Sequence, residues 1–278
     1  MSNLIREDTV LTIQGTEIPR LGIGTWLVTG KDATDAVRDA LEIGYRHVDT
    51  ARAYGNEAEV GEGIAESGVD RGDIWLTTKI WLDDYEPARL KRAAEDSLRK
   101  LRTDYLDLLL LHWPSSEVPV EHSLQAMREL QEEGKIRYPG VSNFPAGMLL
   151  RALEVLPLFA DQVEYHPFLS QDSLLELAQR HDFTLTAYSP LAHAKVVGHP
   201  ELTAIGEQYG KSAGQVALRW LLDQPKVTTA PKASSHARRL ENFEVFDFAL
   251  TDADRERIAA LPKDVRTANP SWAPDWND

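Results

Sequence analysis

The sequence predicts an α/β fold, a single (β/α)8 TIM barrel in which helices surround eight parallel strands. Eight short apolar runs rich in β-forming residues alternate with helical patterns along the 278 residues. Successive runs begin 22 to 43 residues apart, a spacing that suits the strand–helix units of a closed parallel sheet. The runs begin near Leu21, Tyr45, Ile74, Tyr105, Ile136, Gln162, Thr184 and Val227.

The main competing architecture is an open, doubly wound sheet. Such a sheet normally carries a glycine-rich phosphate loop directly after its first strand. Residues 22–26, Gly-Ile-Gly-Thr-Trp, lack the third glycine of that loop and lead into no immediate helix. No Ser/Gly-rich linker interrupts the chain, so we expect one domain over residues 1–278.

Both ends of the chain are predicted to lie outside the strand–helix units. Residues 10–13 and 17–18 are expected to pair as a β-hairpin around a Gln14-Gly15 turn and to plug the bottom of the barrel. The tail from Pro262 onward has no periodicity, and we expect it to form a C-terminal loop.

Proline, glycine and capping residues mark the ends of the predicted helices. Pro87 suits the first turn of a helix. Additional helical patterns cover residues 200–209 and 251–261, the second with Thr251 as N-cap and Asp254 in a near capping box. Glycine, which favours the left-handed position beyond a helix, directly follows the predicted helices at residues 35–43, 57–67 and 123–133.

The composition narrows the function. The chain has 30 basic and 44 acidic residues, a net charge of −14, and no cysteine. The acidic excess disfavours nucleic-acid binding, and the lack of cysteine excludes disulfides, thiolate metal sites and a cysteine nucleophile.

The start has no signal-peptide pattern, and no apolar run approaches a membrane span, so we expect a cytoplasmic protein. Only ten basic residues are lysine, which fits either a salt-adapted proteome or an ordinary acidic enzyme.

Four polar side chains are predicted at one rim of the barrel. Asp49, Lys79 and His112 end the second, third and fourth apolar runs, and Tyr54 lies in the loop after Asp49. The carboxyl ends of barrel strands face the active site. Each residue alone has an ordinary structural explanation, such as a rim charge, a helix cap or a core-edge hydrogen bond. Together they suit proton transfer to a carbonyl oxygen, with the hydride supplied by a cofactor.

Seven segments resemble signature segments of the aldo-keto reductases, in the order found in that family. They extend over nearly the whole chain, and its short length is most similar to the prokaryotic 2,5-diketo-D-gluconate reductase branch. The segments are residues 49–57 (DTARAYGNE), 78–81 (TKIW), 111–114 (LHWP), 140–144 (GVSNF), 162–167 (QVEYHP), 188–191 (YSPL) and 241–242 (EN).

The resemblance implies a catalytic tetrad of Asp49, Tyr54, Lys79 and His112, with Tyr54 as the general acid. It places Trp26, Trp81 and Trp113 around a carbonyl substrate. In the tail, Trp272 and Trp276 either close this pocket or simply dock the terminus.

The resemblance also implies a nicotinamide cofactor extended across the barrel top. Lys232 and Arg238 match the residues that hold the adenosine 2′-phosphate, which favours NADPH. Ala233 stands where serine is common, so NADH use is also expected. Ser142, Asn143 and Gln162 would hold the carboxamide, Tyr188 would stack on the nicotinamide, Thr25, Asp49, Ser189 and Leu191 would line the ribose and pyrophosphate path, Ser234 would add a contact, and Glu241 and Asn242 would bind the adenine.

These features predict a monomeric, NADPH-dependent reductase of aldehydes or ketones. Small aldehydes, dicarbonyls and keto-sugar acids all remain candidate substrates. The alternative is a low-turnover nucleotide-binding regulatory protein on the same fold, which the intact tetrad disfavours. A metal-dependent barrel enzyme is also disfavoured, and no metal site is expected, because the histidines that could be ligands fall in predicted helices or loops: His122, His181, His193, His199 and His236.

Overall fold

The structure of the protein is a computed structural model that describes residues 9–278. Isolated parallel bridges join Leu21 to Thr229 and Gly24 to Lys232, so the first and last strands of an eight-stranded parallel sheet meet. The predicted barrel is confirmed. The strands are β1 (Val10–Ile13), β2 (Thr16–Pro19), β3 (Ile23–Gly24), β4 (His47–Asp49), β5 (Trp75–Ile80), β6 (Leu106–Leu111), β7 (Ile136–Ser142), β8 (Ala160–Glu164), β9 (Thr184–Tyr188) and β10 (Val227–Thr229).

The barrel strands β3 to β10 follow chain order around the ring, and each begins within two residues of its predicted start. Strand β6 is buried along its whole length, because helices cover the outer face of the barrel. Its one charged residue, Asp107, is compensated by Arg71 and Arg137, with nitrogen–oxygen distances of 2.8 and 3.0 Å.

The helices confirm the predicted glycine ends. Gly44, Gly68 and Gly134 all have positive φ angles, of 128°, 69° and 75°. The first helix starts four residues earlier than predicted, at Lys31, because its polar first turn hides the periodicity. The helices are α1 (Lys31–Ile43), α2 (Glu57–Glu66), α3 (Pro87–Lys100), α4 (Val120–Glu132), α5 (Ala146–Val155), α6 (Asp172–His181), α7 (Pro200–Tyr209), α8 (Ala213–Asp223), α9 (His236–Phe243) and α10 (Asp252–Ala259).

The N-terminal hairpin plugs the bottom of the barrel, as predicted. Strands β1 and β2 pair antiparallel. Ile13 and Ile18 are buried in one cluster with Trp75, the first residue of β5, and Phe159, which precedes β8. These partners lie at the amino ends of the strands, so the opposite, carboxyl end of the barrel is the end left for a site.

The additional helices and the C-terminal loop also follow the prediction. Helix α7 has the predicted bounds, and Thr251 caps α10 in a capping box with Asp254. The tail contacts the loop after β8, where Val265 N donates to Phe168 O over 3.0 Å. Among the helices of the described residues, none is long and apolar enough to cross a membrane.

Candidate active site

A buried lysine forms the centre of the candidate site at the carboxyl end of the barrel. Lys79 is fully buried near the end of β5. Its Nζ donates to Asp49 Oδ1 over 2.6 Å and to Thr50 O over 2.8 Å. The same Nζ lies 3.4 Å from the hydroxyl oxygen of Tyr54, which the short helical turn Arg52–Tyr54 presents. Neighbouring strands thus bring the acid, the amine and the phenol into contact.

The charges of this cluster depend on its burial. Burial by itself favours a neutral amine, but the carboxylate of Asp49 outweighs it and raises the pKa of Lys79 above its ordinary value. Burial raises the pKa of Tyr54, and the ammonium of Lys79 opposes that rise. The site therefore holds a protonated phenol beside a positively charged ammonium at neutral pH.

His112 follows β6 and contributes a neutral imidazole. Burial, together with the nearby Lys79 ammonium, lowers its pKa well below the ordinary value. Its ring packs edge-on against Tyr54 and Trp81, with centroid distances of 5.8 and 5.1 Å. Its Nδ1 is buried without a hydrogen-bond partner among residues 9–278, which leaves Nε2 as the ring nitrogen available to a ligand.

The ends of β7, β8 and β9 carry a hydrogen-bonded network that reaches the cluster. Asn143 donates from Nδ2 to His112 O over 3.0 Å and accepts from the Tyr188 hydroxyl over 2.7 Å. Ser142 Oγ donates to Gln162 O, and Gln162 Nε2 donates to Asp49 Oδ2, each over 2.7 Å. Asn143 is therefore held from two sides, in a left-handed conformation with φ of 64°.

A cavity of about 1160 Å³ opens above these groups. Lys79 lies beneath its floor. Ser234, Glu241 and Asn242 are not among the residues that line it. Glu241 Oε1 instead accepts a hydrogen bond from Ser212 Oγ over 2.5 Å. The sequence-predicted residues that do line it are Thr25, Trp26, Asp49, Tyr54, Trp81, His112, Trp113, Ser142, Asn143, Gln162, Tyr188, Ser189, Leu191, Lys232 and Arg238.

Two cations lie at the adenosine side expected from the sequence. Lys232 and Arg238 are exposed and line the cavity. Within the described residues, neither side chain has a hydrogen-bond or ion-pair partner. Arg238 lies in the first turn of α9, whose N-cap is Ser235. Unpaired cations at a helix N-terminus suit an anionic ligand.

The sequence of this barrel matches a known family over most of its length. Residues 20–263 match the profile of the Aldo/keto reductase family. The chain belongs to the aldo/keto reductase family. It is accordingly an oxidoreductase, and carbonyl reduction with a nicotinamide cofactor is general in this family.

Similar proteins include reductases that are named for different substrates. Glyoxal reductase of Bacillus subtilis (strain 168) is 41% identical over 264 residues, 94% of this chain and 95% of that protein. The 9,11-endoperoxide prostaglandin H2 reductase of Trypanosoma cruzi (strain CL Brener) is 40% identical, over 90% of this chain and 89% of that protein. A solved structure provisionally named 2,5-diketo-D-gluconic acid reductase B is 44% identical with a TM-score of 0.94, covering 96% of this chain and 97% of that chain.

The tail of this aldo/keto reductase forms a cavity wall that the sequence did not predict in detail. Thr267, Ala268, Asn269, Pro270 and Trp272 all line the cavity. The anchor of this segment is Glu164, the last residue of β8, which sequence reasoning missed. Side chains two residues apart in a strand lie on the same face, so Glu164 shares a face with Gln162. This periodicity could have predicted that Glu164 lies close to the site.

Aromatic side chains surround the part of the reductase cavity near His112. Trp272 packs edge-on against Trp81 and Trp113, with centroid distances of 5.8 and 4.9 Å. Trp276 lies farther from Trp113, at 6.1 Å, and does not line the cavity. Trp26 lies on another part of the rim, where it contacts His193. Of the two tail tryptophans, Trp272 is therefore the one that borders the pocket.

Proposed function

We propose that this protein catalyses the NADPH-dependent reduction of an aldehyde or ketone to an alcohol. The observation that most directly supports this proposal is the buried Lys79 ammonium, which contacts both Asp49 and the Tyr54 hydroxyl at the floor of a large cavity. Burying a charge opposes folding unless a partner compensates it, as Asp49 does here. The compensated ammonium also contacts a phenol, an arrangement that suits proton transfer.

Tyr54 acts as the general acid in this proposal. It donates its proton to the carbonyl oxygen, and the Lys79 ammonium stabilises the phenolate that remains. Asp49 keeps Lys79 charged and directed at Tyr54. The raised pKa of Tyr54 keeps the proton in place until a substrate accepts it.

His112 orients the substrate. Its lowered pKa makes the imidazole neutral at physiological pH, so it adds no charge that would oppose the Lys79 ammonium. Because Nδ1 is buried and has no hydrogen-bond partner in the part of the chain that the structure describes, Nε2 is left to donate to the carbonyl oxygen. Proton donor and orienting group then converge on one oxygen atom.

The residues that line the cavity fit a nicotinamide dinucleotide that carries a 2′-phosphate. Lys232 and Arg238 would hold the 2′-phosphate with charge-assisted hydrogen bonds. NADPH supplies the hydride when bound. Ala233 offers no hydroxyl for the phosphate, so we include NADH as a weaker alternative. Of the lining residues, Ser142, Asn143, Gln162 and Tyr188 would hold the nicotinamide end and Thr25, Asp49, Ser189 and Leu191 the central part. Ser234, Glu241 and Asn242, which do not line the cavity, would contact the adenosine end beyond it.

Tyr54→Phe tests the proposal. It should lower kcat with NADPH and a reactive aldehyde about 10²–10⁴-fold, the range of general acid catalysis. The loss of reduced-cofactor absorbance measures the rate, and Tyr105→Phe, a tyrosine outside the cavity, serves as the control. Full turnover by Tyr54→Phe would contradict the proposed role. A measurable wild-type rate that Lys79→Met abolishes would also set aside the regulatory alternative.

We further propose that the protein is a single-domain, cytoplasmic monomer that takes a small-molecule carbonyl substrate and binds no nucleic acid. Its net charge of −14 supports the last point, because a negative surface repels phosphate backbones. Light scattering coupled to size-exclusion chromatography should give a mass near 31.2 kDa. A dimer mass would contradict the monomer.

A further inference from the structure

On one side of Trp272, a buried carboxylate, that of Glu164, attaches the tail to the barrel close to the cavity. Glu164 Oε1 and Oε2 accept from Thr267 N over 2.8 and 3.0 Å, and Oε1 accepts from Thr267 Oγ1 over 2.5 Å. Ala268 N donates to Oε2 over 2.8 Å. His166 Nε2 also donates to Oε1 over 3.0 Å, and both side chains are fully buried. The carboxylate thus fixes two consecutive residues of the tail.

The tail is attached on the other side of Trp272 as well. Gly147 N, in the first turn of α5, donates to Asp278 O over 3.0 Å, and Arg151 donates to Asp278 Oδ2 over 2.7 Å. The approach is close, because a Cβ on Gly147 would lie 2.8 Å from Asp278 Oδ1. The tail therefore crosses the top of the barrel between its contacts with β8 and the following loop and its contacts with α5.

Contacts within this crossing segment join its beginning to its end. Trp276 Nε1 donates to Asn269 Oδ1 over 2.9 Å, and the Arg266 guanidinium lies 3.8 Å from the centre of the Trp276 ring. Trp276 is thus an internal brace, whereas Trp272 points to the cavity. Trp272 keeps 49% of its surface exposed even though it packs on two other tryptophans. An exposed indole on a braced segment presents a flat, apolar face to a ligand.

We infer that Glu164 is a positioning residue that fixes Trp272 as a wall of the substrate pocket and so selects planar, apolar carbonyl compounds over small hydrated dicarbonyls. This inference rests on the proposed function and adds the substrate class. Aromatic aldehydes gain contact with the tryptophan wall formed by Trp81, Trp113 and Trp272. A two- or three-carbon dicarbonyl needs only the groups near Tyr54 and His112, so it does not depend on the tail.

The test compares 4-nitrobenzaldehyde with methylglyoxal in wild type, Glu164→Gln, Trp272→Ala and the double variant. Wild type should have the higher kcat/KM for the aromatic aldehyde. Glu164→Gln should raise its KM about 5- to 20-fold, with the kcat for methylglyoxal within about twofold of wild type. If Glu164 acts through Trp272, the effects are not additive, and the double variant should match Trp272→Ala alone for the aromatic aldehyde.

Glu176→Gln, an exposed glutamate on α6, is the matched control and should leave both substrates unchanged. Equal losses for both aldehydes in Glu164→Gln, or additive effects in the double variant, would overturn the inference. Equal use of the two aldehydes by the wild type would overturn the substrate class. Failure of the wild type to reduce either aldehyde would instead overturn the proposed function.

Discussion

Gln162 donates a hydrogen bond to Asp49 over 2.7 Å, whereas the adjacent Asp161 is buried with both carboxylate oxygens unpartnered among the described residues. Burial raises the pKa of Asp161 well above its ordinary value. One residue of β8 thus serves the candidate site, and its neighbour opposes folding.

Asp161→Asn removes the ionisable group and should therefore stabilise the protein by about 1–3 kcal/mol at neutral pH, because each unit by which the folded pKa is raised costs about 1.4 kcal/mol once the unfolded carboxyl is ionised. Because the folded pKa is raised, the penalty is absent below the unfolded pKa of about 3.9 and grows as the pH rises towards the folded value. Urea unfolding at several pH values measures this. The gain should increase with pH, and Asp172→Asn, an exposed change on α6, should show none. A gain independent of pH would contradict the explanation.

The contribution of Glu164 to stability has the opposite pH dependence to that of Asp161. Burial by itself raises its pKa, but hydrogen bonds from His166, Thr267 and Ala268 more than offset it and hold that pKa at about 2. The stabilisation is present above the unfolded pKa of about 4.3 and is lost as the pH falls through about 2, and it amounts to at most about 3 kcal/mol. Thermal unfolding should show that the wild type loses more stability than the Glu164→Gln variant when the pH is lowered between these two values. Parallel pH profiles would exclude this role.

Removal of the buried cation should affect chemistry more than substrate binding. In Lys79→Met the charge that opposes the raised pKa of Tyr54 is lost, so the phenol becomes a weaker acid. We expect kcat to fall at least about 100-fold, with a smaller change in KM. Lys91→Met, a lysine on α3, should retain wild-type rates. A change confined to KM would instead indicate that Lys79 contributes only to binding.

The cations at the adenosine side should discriminate between the two cofactors. Arg238→Ala should raise the KM for NADPH about 10- to 100-fold and leave that for NADH nearly unchanged, because a charge-assisted hydrogen bond to phosphate is lost. Steady-state kinetics with each cofactor measures the ratio, with Arg89→Ala, an exposed residue of α3, as control. Equal increases for both cofactors would place Arg238 elsewhere on the cofactor.

Ala233→Ser should act in the other direction. The added hydroxyl supplies one neutral hydrogen bond, which should improve the NADPH-to-NADH ratio of kcat/KM about 2- to 10-fold. Ala237→Ser, an exposed alanine four residues away, is the matched control. An unchanged ratio would mean that residue 233 does not contact the phosphate.

The barrel was predictable from the sequence because its signals are local. Pro200 and Gly210 delimit α7, so its observed bounds are the predicted ones. The alternation of apolar strands and amphipathic helices likewise predicted the parallel strands. The first turn of α1 was not predicted, because Thr34 is polar yet buried there, and periodicity counts only apolar residues.

The sequence by itself determined the fold class, the family and the set of candidate site residues at the carboxyl ends of the strands. Only the tertiary structure decided which of them touch. It placed Lys79 between Asp49 and Tyr54, buried the Asp161 carboxylate with no charged partner among residues 9–278, and showed that Glu164 holds a tail segment 103 residues away. The physical reason is that hydrophobic periodicity records each residue's own environment, whereas a hydrogen bond between distant residues depends on how the whole barrel closes.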